Sequence, residues 1–383
     1  MNIRSVMVLL AFCSALAPSQ QKEIIAYYPS WKHGSGVALL PPERIPYDHL
    51  SILNYAFFFP RPDGSIAGRD SAGDALLLEP AATGTKLAAL AHQSNVKVML
   101  SIGGWEDSYN FPAVAADPNL RRRFVHSCVQ HVTKFGFDGI DIDWEYPGEK
   151  THNGTPADGP NFTLLLQALR DSLDSLGAHS ARHYLLSAAL PGDSAHAAAL
   201  QMRSVAGILD FLNIMTYDFY GPWDPLANHN APLHAGIGGD SARSLSGAFR
   251  LYHKTYRLPA GKINLGVPFY GHTYASCTAI NTSHAGGDTV HFAPQGAFYA
   301  DIAAKMKHFT RHWDEAAQVP YLVSTNWNML VSYDDEQSVT AKARYVLDCG
   351  ARGLIIWELT GDLMPDGTHP LLDALHRTFH DTR

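Results

Sequence analysis

Residues 137–147 read Phe-Asp-Gly-Ile-Asp-Ile-Asp-Trp-Glu-Tyr-Pro, and no other stretch constrains the architecture as tightly. Side chains along a β-strand alternate between its two faces. Asp141, Asp143 and Glu145 therefore share one face, and Ile140, Ile142 and Trp144 share the other. In a closed barrel this alternation places three carboxyl groups in a column on the inside. Like charges buried that close together cannot all stay ionised, so at least one member of the column is expected to hold a proton near neutral pH.

Outward from this strand, seven further β-rich runs follow the same rhythm. They are Glu23–Tyr28, Leu50–Phe58, Val96–Ile102, Tyr184–Leu190, Ile208–Thr216, Lys262–Phe269 and Gly353–Trp357. Between them, apolar residues recur at helical spacing over Thr85–His92, Asn119–Lys134, Asn161–Leu176, Ser241–Tyr256 and Gln337–Asp348. Asn119, Asn161 and Ser241 are candidate helix caps, and Gly136 a helix stop. Eight strands alternating with helices predict an α/β fold, a (β/α)8 TIM barrel. The rhythm breaks once. Some 50 residues, 272–323, separate the last two strands and contain a helical run at Gly296–Phe309, which predicts a short α+β insertion between strands 7 and 8. The expected division is a signal peptide at 1–19, a catalytic barrel over 20–383 and the inserted subdomain at 272–323.

The bulk properties narrow the partners. The net charge is -7, and the 29 Lys and Arg residues form no long basic run, which argues against nucleic acid. Arg4, the apolar run Val6–Phe12 and Ala15 and Ala17 before Ser19 have the pattern of a secretory signal, and no other apolar run is long enough to span a membrane. Once that signal is removed with Cys13, Cys128, Cys277 and Cys349 remain, so at most one disulfide can form within the chain. Cys128 falls in an amphipathic helical stretch and reads as a small buried hydrophobe. No CxxC or HExxH spacing occurs, and no metal or other cofactor is expected. Asn153, Asn161 and Asn281 begin acceptor sequences for N-glycans, a pattern that chance alone supplies once or twice in a chain of this length.

A structural acidic ladder gives no reason for the regular spacing at 141, 143 and 145, and a metal cage lacks ligands around it; a poised acid accounts for both. The pattern Asp138-x-x-Asp141-x-Asp143-x-Glu145, flanked by Gly139, Trp144, Tyr146 and Pro147, resembles the active-site strand of family 18 glycoside hydrolases, the chitinases. Further blocks follow in that family's order: Ser101-Ile102-Gly103-Gly104-Trp105, Met215-Thr216-Tyr217-Asp218, Tyr270-Gly271 and Trp357. The resemblance runs from about Ile24 to Leu372.

The resemblance implies a secreted chitinase that cleaves β-1,4 N-acetylglucosamine linkages with retention. Glu145 would be the general acid and the substrate's own acetamide the nucleophile. Asp143, coupled to Asp141, would orient the acetamide, Tyr217 would donate to its oxygen, and Asp218 would hydrogen-bond the sugar. Tyr27, Phe57, Gly104, Trp105, Tyr146, Met215, Tyr270, His272 and Trp357 are the implied substrate contacts, with Trp357 beneath the sugar at the cleavage point. His272 departs from the pattern, since many animal-type members carry arginine there. The expected partners are chitin or N-acetylglucosamine oligomers, with no nucleic acid, no membrane and a monomeric chain. Two rival readings share the fold: a chitin-binding lectin, disfavoured because Glu145 is present, and an endo-β-N-acetylglucosaminidase acting on N-glycans.

Overall fold

The computed structural model describes residues 22–34, 40–81, 84–236, 238–292 and 297–381. The expected signal peptide lies outside the described residues. Eight parallel strands form the barrel: β1 (Glu23–Pro29), β2 (Ile52–Pro60), β3 (Lys97–Gly103), β4 (Gly139–Asp143), β5 (Leu185–Pro191), β6 (Phe211–Met215), β7 (Ile263–Pro268) and β8 (Gly353–Trp357). Each pairs with its successor, and β8 pairs with β1 to close the ring. The sequence-derived runs match these strands except at Ile208–Asp210, where a helix ends at Ile208 and the strand starts only at Phe211.

Side-chain alternation sorts the interior into tiers. Ile25, Ile52, Met99, Leu185, Phe211 and Ile355 fill the lower barrel as an apolar plug. One step along the strands comes a buried polar tier of Tyr27, Asn54, Ser101, Asp141, Ser187, Asn213 and Asn264. Asp143, Met215 and Trp357 stand above it at the C-terminal rim, the face on which barrels of this type carry their sites. On the outside of β4, Ile140 and Ile142 join the core under the helices, and Trp144 stacks on Phe111 at 5.2 Å with its edge toward Phe162 at 5.8 Å. Three non-prolyl peptide bonds are cis: Ala56–Phe57, Glu145–Tyr146 and Trp357–Glu358.

The helices start where local chemistry satisfies their first N–H groups. The cap expected at Asn119 is Asp117, whose carboxylate accepts from the N–H groups of Asn119 (2.7 Å) and Leu120 (3.0 Å), while Pro118 occupies the first turn, where its missing N–H costs nothing. That helix ends at Gly136, which takes the left-handed conformation at φ 73°. Asn161 is no cap either: its helix spans Asp158–Ser180 and follows Ala157 without a side-chain cap. Ser244 replaces Ser241 by accepting from Gly247 N–H at 3.1 Å, and the helix Leu245–Arg250 then widens into a π-turn over Leu251–Thr255.

Between β7 and β8 lies the insertion, an antiparallel sheet of Ala297–Phe298, Tyr270–Ala275, Met329–Ser332, Val319–Ser324 and Thr310–Asp314, with a helix at Tyr299–Lys305. The sheet reaches past both ends of the 272–323 segment. Its second strand begins at Tyr270, and the central strand Met329–Ser332 must return to pair with it, Ser332 opposite His272 and Val331 opposite Thr273. None of Cys128, Cys277 and Cys349 is in a disulfide, and Cys128 is fully buried in the helix Pro118–Phe135.

Candidate active site

Asp141 sits at the centre of the polar tier with every direction occupied. Its Oδ2 accepts from Tyr27 Oη (2.8 Å) and Ser101 Oγ (2.9 Å), and its Oδ1 from Ser187 Oγ (2.6 Å) and Asn213 Nδ2 (3.1 Å). Burial holds its carboxyl above the ordinary range, and these four bonds oppose the rise only in part. The donors are placed by register: Ser101 pairs with Asp141 across β3–β4, and Ser187 with Asp141 across β4–β5.

Asp143, two residues on, is equally buried but differently furnished. Among the described residues no donor reaches its Oδ1. Its carboxyl is held well above the ordinary carboxylate range, first by burial, then by the charges of Glu145 and Asp141. Glu145 is partly exposed at the mouth, and its N–H is held by Ser108 Oγ at 2.9 Å. Burial lifts its carboxyl to about 7, with Asp218 adding to the rise and a hydrogen bond from Tyr146 opposing it. A protonated carboxylic acid at the rim beside a buried, proton-retaining neighbour is suited to give up a proton to a bound leaving group.

Tyr217, Met215, Tyr270, Tyr146 and Trp357 pack as one cluster around these acids. Gly266 leaves room for the Tyr217 ring, which a Cβ there would meet at 2.7 Å. Burial and the charges of Asp143 and Glu145 hold the Tyr217 phenol well above its usual range, so it remains a donor. Asp218 takes a left-handed backbone, φ 56°, and accepts at Oδ1 from both Tyr270 Oη (2.7 Å) and His272 Nε2 (2.7 Å). The insertion strand Tyr270–Ala275 thus supplies both partners of Asp218. His272 in turn lies edge-on to Trp223, which is 64% exposed.

Trp357 stacks on Phe57 at 5.5 Å and tilts against Tyr27 at 5.4 Å and Trp31 at 6.2 Å. Tyr27 itself is buried, so it supports Asp141 and Trp357 from below rather than presenting an open face. Gly104 has φ 90°, and a Cβ there would lie 2.5 Å from the Phe57 ring, so only glycine lets the chain after β3 pass the aromatic floor. Trp105 is half-exposed and sets its edge toward Tyr146 at 6.4 Å.

Of the four acids in the quoted pattern, Asp138 stands apart from the other three. Its carboxylate accepts from Val98 N–H (2.7 Å) and His92 Nε2 (2.8 Å) and ion-pairs with Arg182, at the start of β4 and away from the rim. It ties β3, β4 and a neighbouring helix at the barrel's far end. Given no role from the sequence were Ser101, Ser187 and Asn213, which with Tyr27 saturate Asp141, and Ser108, which fixes Glu145. Another is His196, whose ring packs on Tyr146 at 4.5 Å and whose Nδ1 meets Asp193 Oδ2 at 2.7 Å. A small polar residue at an inward position of a barrel strand was the available signal for the first three. Among the described residues no cluster of His, Cys, Asp and Glu has the geometry to hold a metal ion, and no helix is long and apolar enough to cross a membrane.

Residues 23–362 match the family described as glycosyl hydrolases family 18. Chitinase A1 of Niallia circulans is 37% identical over 285 residues, covering 70% of this chain and 41% of that protein, so the chain spans less than half of it. Chitinase 1 of Aphanocladium album is 31% identical over 352 residues, covering 88% of this chain and 81% of that one. Among solved structures, the chitinase ChiA74 from Bacillus thuringiensis superposes with a TM-score of 0.82 at 30% identity, over 94% of this chain and 70% of that one. The Ostrinia furnacalis Group IV chitinase, in complex with allosamidin, superposes at 0.84 with 27% identity, over 94% of this chain and 99% of the other. With its barrel, its acidic strand and a family match across nearly all of its described length, the chain belongs to the glycosyl hydrolases of family 18.

Proposed function

We propose that the protein is a secreted chitinase that hydrolyses β-1,4 linkages between N-acetylglucosamine units with retention, by substrate-assisted catalysis. The observation that carries this reading is the contrast within one strand: Asp143 buried with an open Oδ1 and a raised affinity for its proton, beside a rim glutamate whose carboxyl sits at about 7. An acetamide N–H is the donor that an open carboxylate oxygen at this place lacks. In this reading the acetamide carbonyl oxygen attacks the anomeric carbon as the glycosidic C–O bond breaks, and Glu145 passes its proton to the departing oxygen. Asp143 accepts the acetamide N–H at its open Oδ1 and so orients the group as the oxazolinium-like ring closes, and the Tyr217 hydroxyl steadies the acetamide oxygen for attack. Water then opens the ring, giving its proton back to Glu145, and the β configuration is restored.

Trp357, over Phe57 and Tyr27, offers an apolar floor for the pyranose ring at the cleavage point. The names of the similar proteins support chitin as the substrate class, and Glu145 favours hydrolysis over binding alone. The chain acts alone, with no cofactor in the steps above.

The test is a defined series of N-acetylglucosamine oligomers with early detection of product anomers. Wild type should release β-anomers, and E145Q should bind the same oligomers while cleaving almost none. Initial α-anomer products, or equal cleavage of oligomers lacking the acetamide, would overturn the mechanism.

A further inference from the structure

Past the rim glutamate, a second set of rings leads away from the catalytic cluster. Trp105 and Tyr109 are both about half exposed, 49% and 46%, among the few large apolar side chains left open on the described surface. Both set an edge against one ring, that of His152, with centroids 4.4 Å and 4.5 Å away. The two open rings can be no farther apart than these two legs allow. His152 is itself buried, so it works as a mount and not as a contact surface.

The mount is tied to the catalytic strand. His152 Nδ1 donates to the Glu145 carbonyl oxygen at 2.5 Å, and Asn153 Nδ2 donates to the Tyr109 carbonyl oxygen at 3.3 Å. Two loops, one after β3 and one after β4, are thereby fastened to each other next to the general acid. An exposed tyrosine held at a fixed distance from an exposed tryptophan, on a shared buried ring, is an amphipathic platform: flat apolar faces for sugar C–H groups and a hydroxyl for hydrogen bonding.

We propose that Tyr109 forms an additional saccharide subsite, one step beyond the unit that rests on Trp105, which takes a further N-acetylglucosamine residue of longer oligomers. The inference rests on the proposed function for its ligand class. Because the Tyr109 ring contacts only the His152 mount and no reacting group, its contribution is to binding that is equal in ground and transition states. It therefore lowers KM for chains long enough to reach it and leaves kcat alone.

The experiment compares wild type, Y109A and Y109F in the full chain on N-acetylglucosamine trimer and hexamer. Removing one ring contact should raise KM for hexamer roughly three- to tenfold in Y109A with kcat unchanged, while trimer kinetics stay at the wild-type level. Y109F should retain most of the effect of the ring. Loss that is equal for trimer and hexamer, or no loss for hexamer, overturns the proposal. Binding of both oligomers to E145Q and to E145Q/Y109A, measured by calorimetry, separates the two claims. If wild type cleaves neither oligomer, the proposed activity fails, and the subsite still stands or falls on whether Y109A weakens hexamer binding alone.

Discussion

Asp141 and Asp143 lie two residues apart on one strand, face the same way and are both buried, yet their surroundings are opposite. Asp141 is met by four donors from four other strands, β1, β3, β5 and β6. Asp143 has an oxygen with none. The shell of Asp141 is complete, with both carboxylate oxygens met by two donors each. The upper tier is unfinished, and leaving a buried carboxyl unsatisfied has a free-energy cost that only a ligand relieves. The comparison teaches that burial of a carboxylate does not distinguish a structural acid from a functional one; the state of its hydrogen-bonding shell does.

The largest effect should come from the rim. E145Q keeps shape and burial but removes the proton donor, and kcat should fall roughly 10²- to 10⁴-fold, the range for loss of a general acid, with oligomer binding kept. In wild type the same group sets the alkaline limb. Glu145 must be protonated to act first, so activity should decline as pH rises through about 7. A limb that persisted unchanged in a variant retaining activity without Glu145 would assign it elsewhere.

D143N sharpens the contrast by separating activity from stability. Activity should drop on the order of 10²-fold, as for loss of one electrostatic stabiliser. Stability should move the other way. The Asp143 carboxyl holds its proton well above the ordinary range in the folded chain, so the stability it contributes is full below about pH 4 and is lost as pH rises toward its folded value. Asparagine does not titrate. Thermal melts of D143N should therefore match or exceed wild type at neutral pH, with the difference shrinking toward pH 4.

D141N should break the comparison from below. The new amide NH2 would face hydroxyl and amide donors already aimed at the carboxylate, at a cost of about 1–3 kcal/mol. Its melting temperature should fall at neutral pH, where that of D143N does not. A D141N variant as stable as wild type would remove the distinction between the two tiers. The smallest effect is expected for Y27F, which deletes one of the four donors to Asp141 and should lower stability by about 1 kcal/mol, read from denaturant midpoints at constant slope.

Much of this was legible before any fold was known. The alternation of Asp and Ile over 140–143 put the acids inside and the isoleucines under helices, because strand geometry leaves no other choice. Gly136 was readable as a helix stop because a left-handed residue there is best made of glycine. The caps were less so. Asn119 and Asp117 are both good caps, and the extended backbone of Asp117, followed by Pro118, decided between them. The extent of the insertion sheet was missed for a similar reason: pairing of Met329–Ser332 with Tyr270–Ala275 links positions some sixty residues apart, and nothing local to either announces the other.

By itself, then, the sequence determined the barrel, the inward column of Asp141, Asp143 and Glu145, and the family resemblance that names their chemistry, since these rest on spacing within short segments. Only the tertiary structure decided that Asp138 is a girder at the far end, that Asp141 is saturated and Asp143 open, and that Asp218 takes its partners from the insertion. Those distinctions depend on which side chains from distant strands converge on one atom. Periodicity fixes which face a residue occupies, but the register between strands fixes what it meets there.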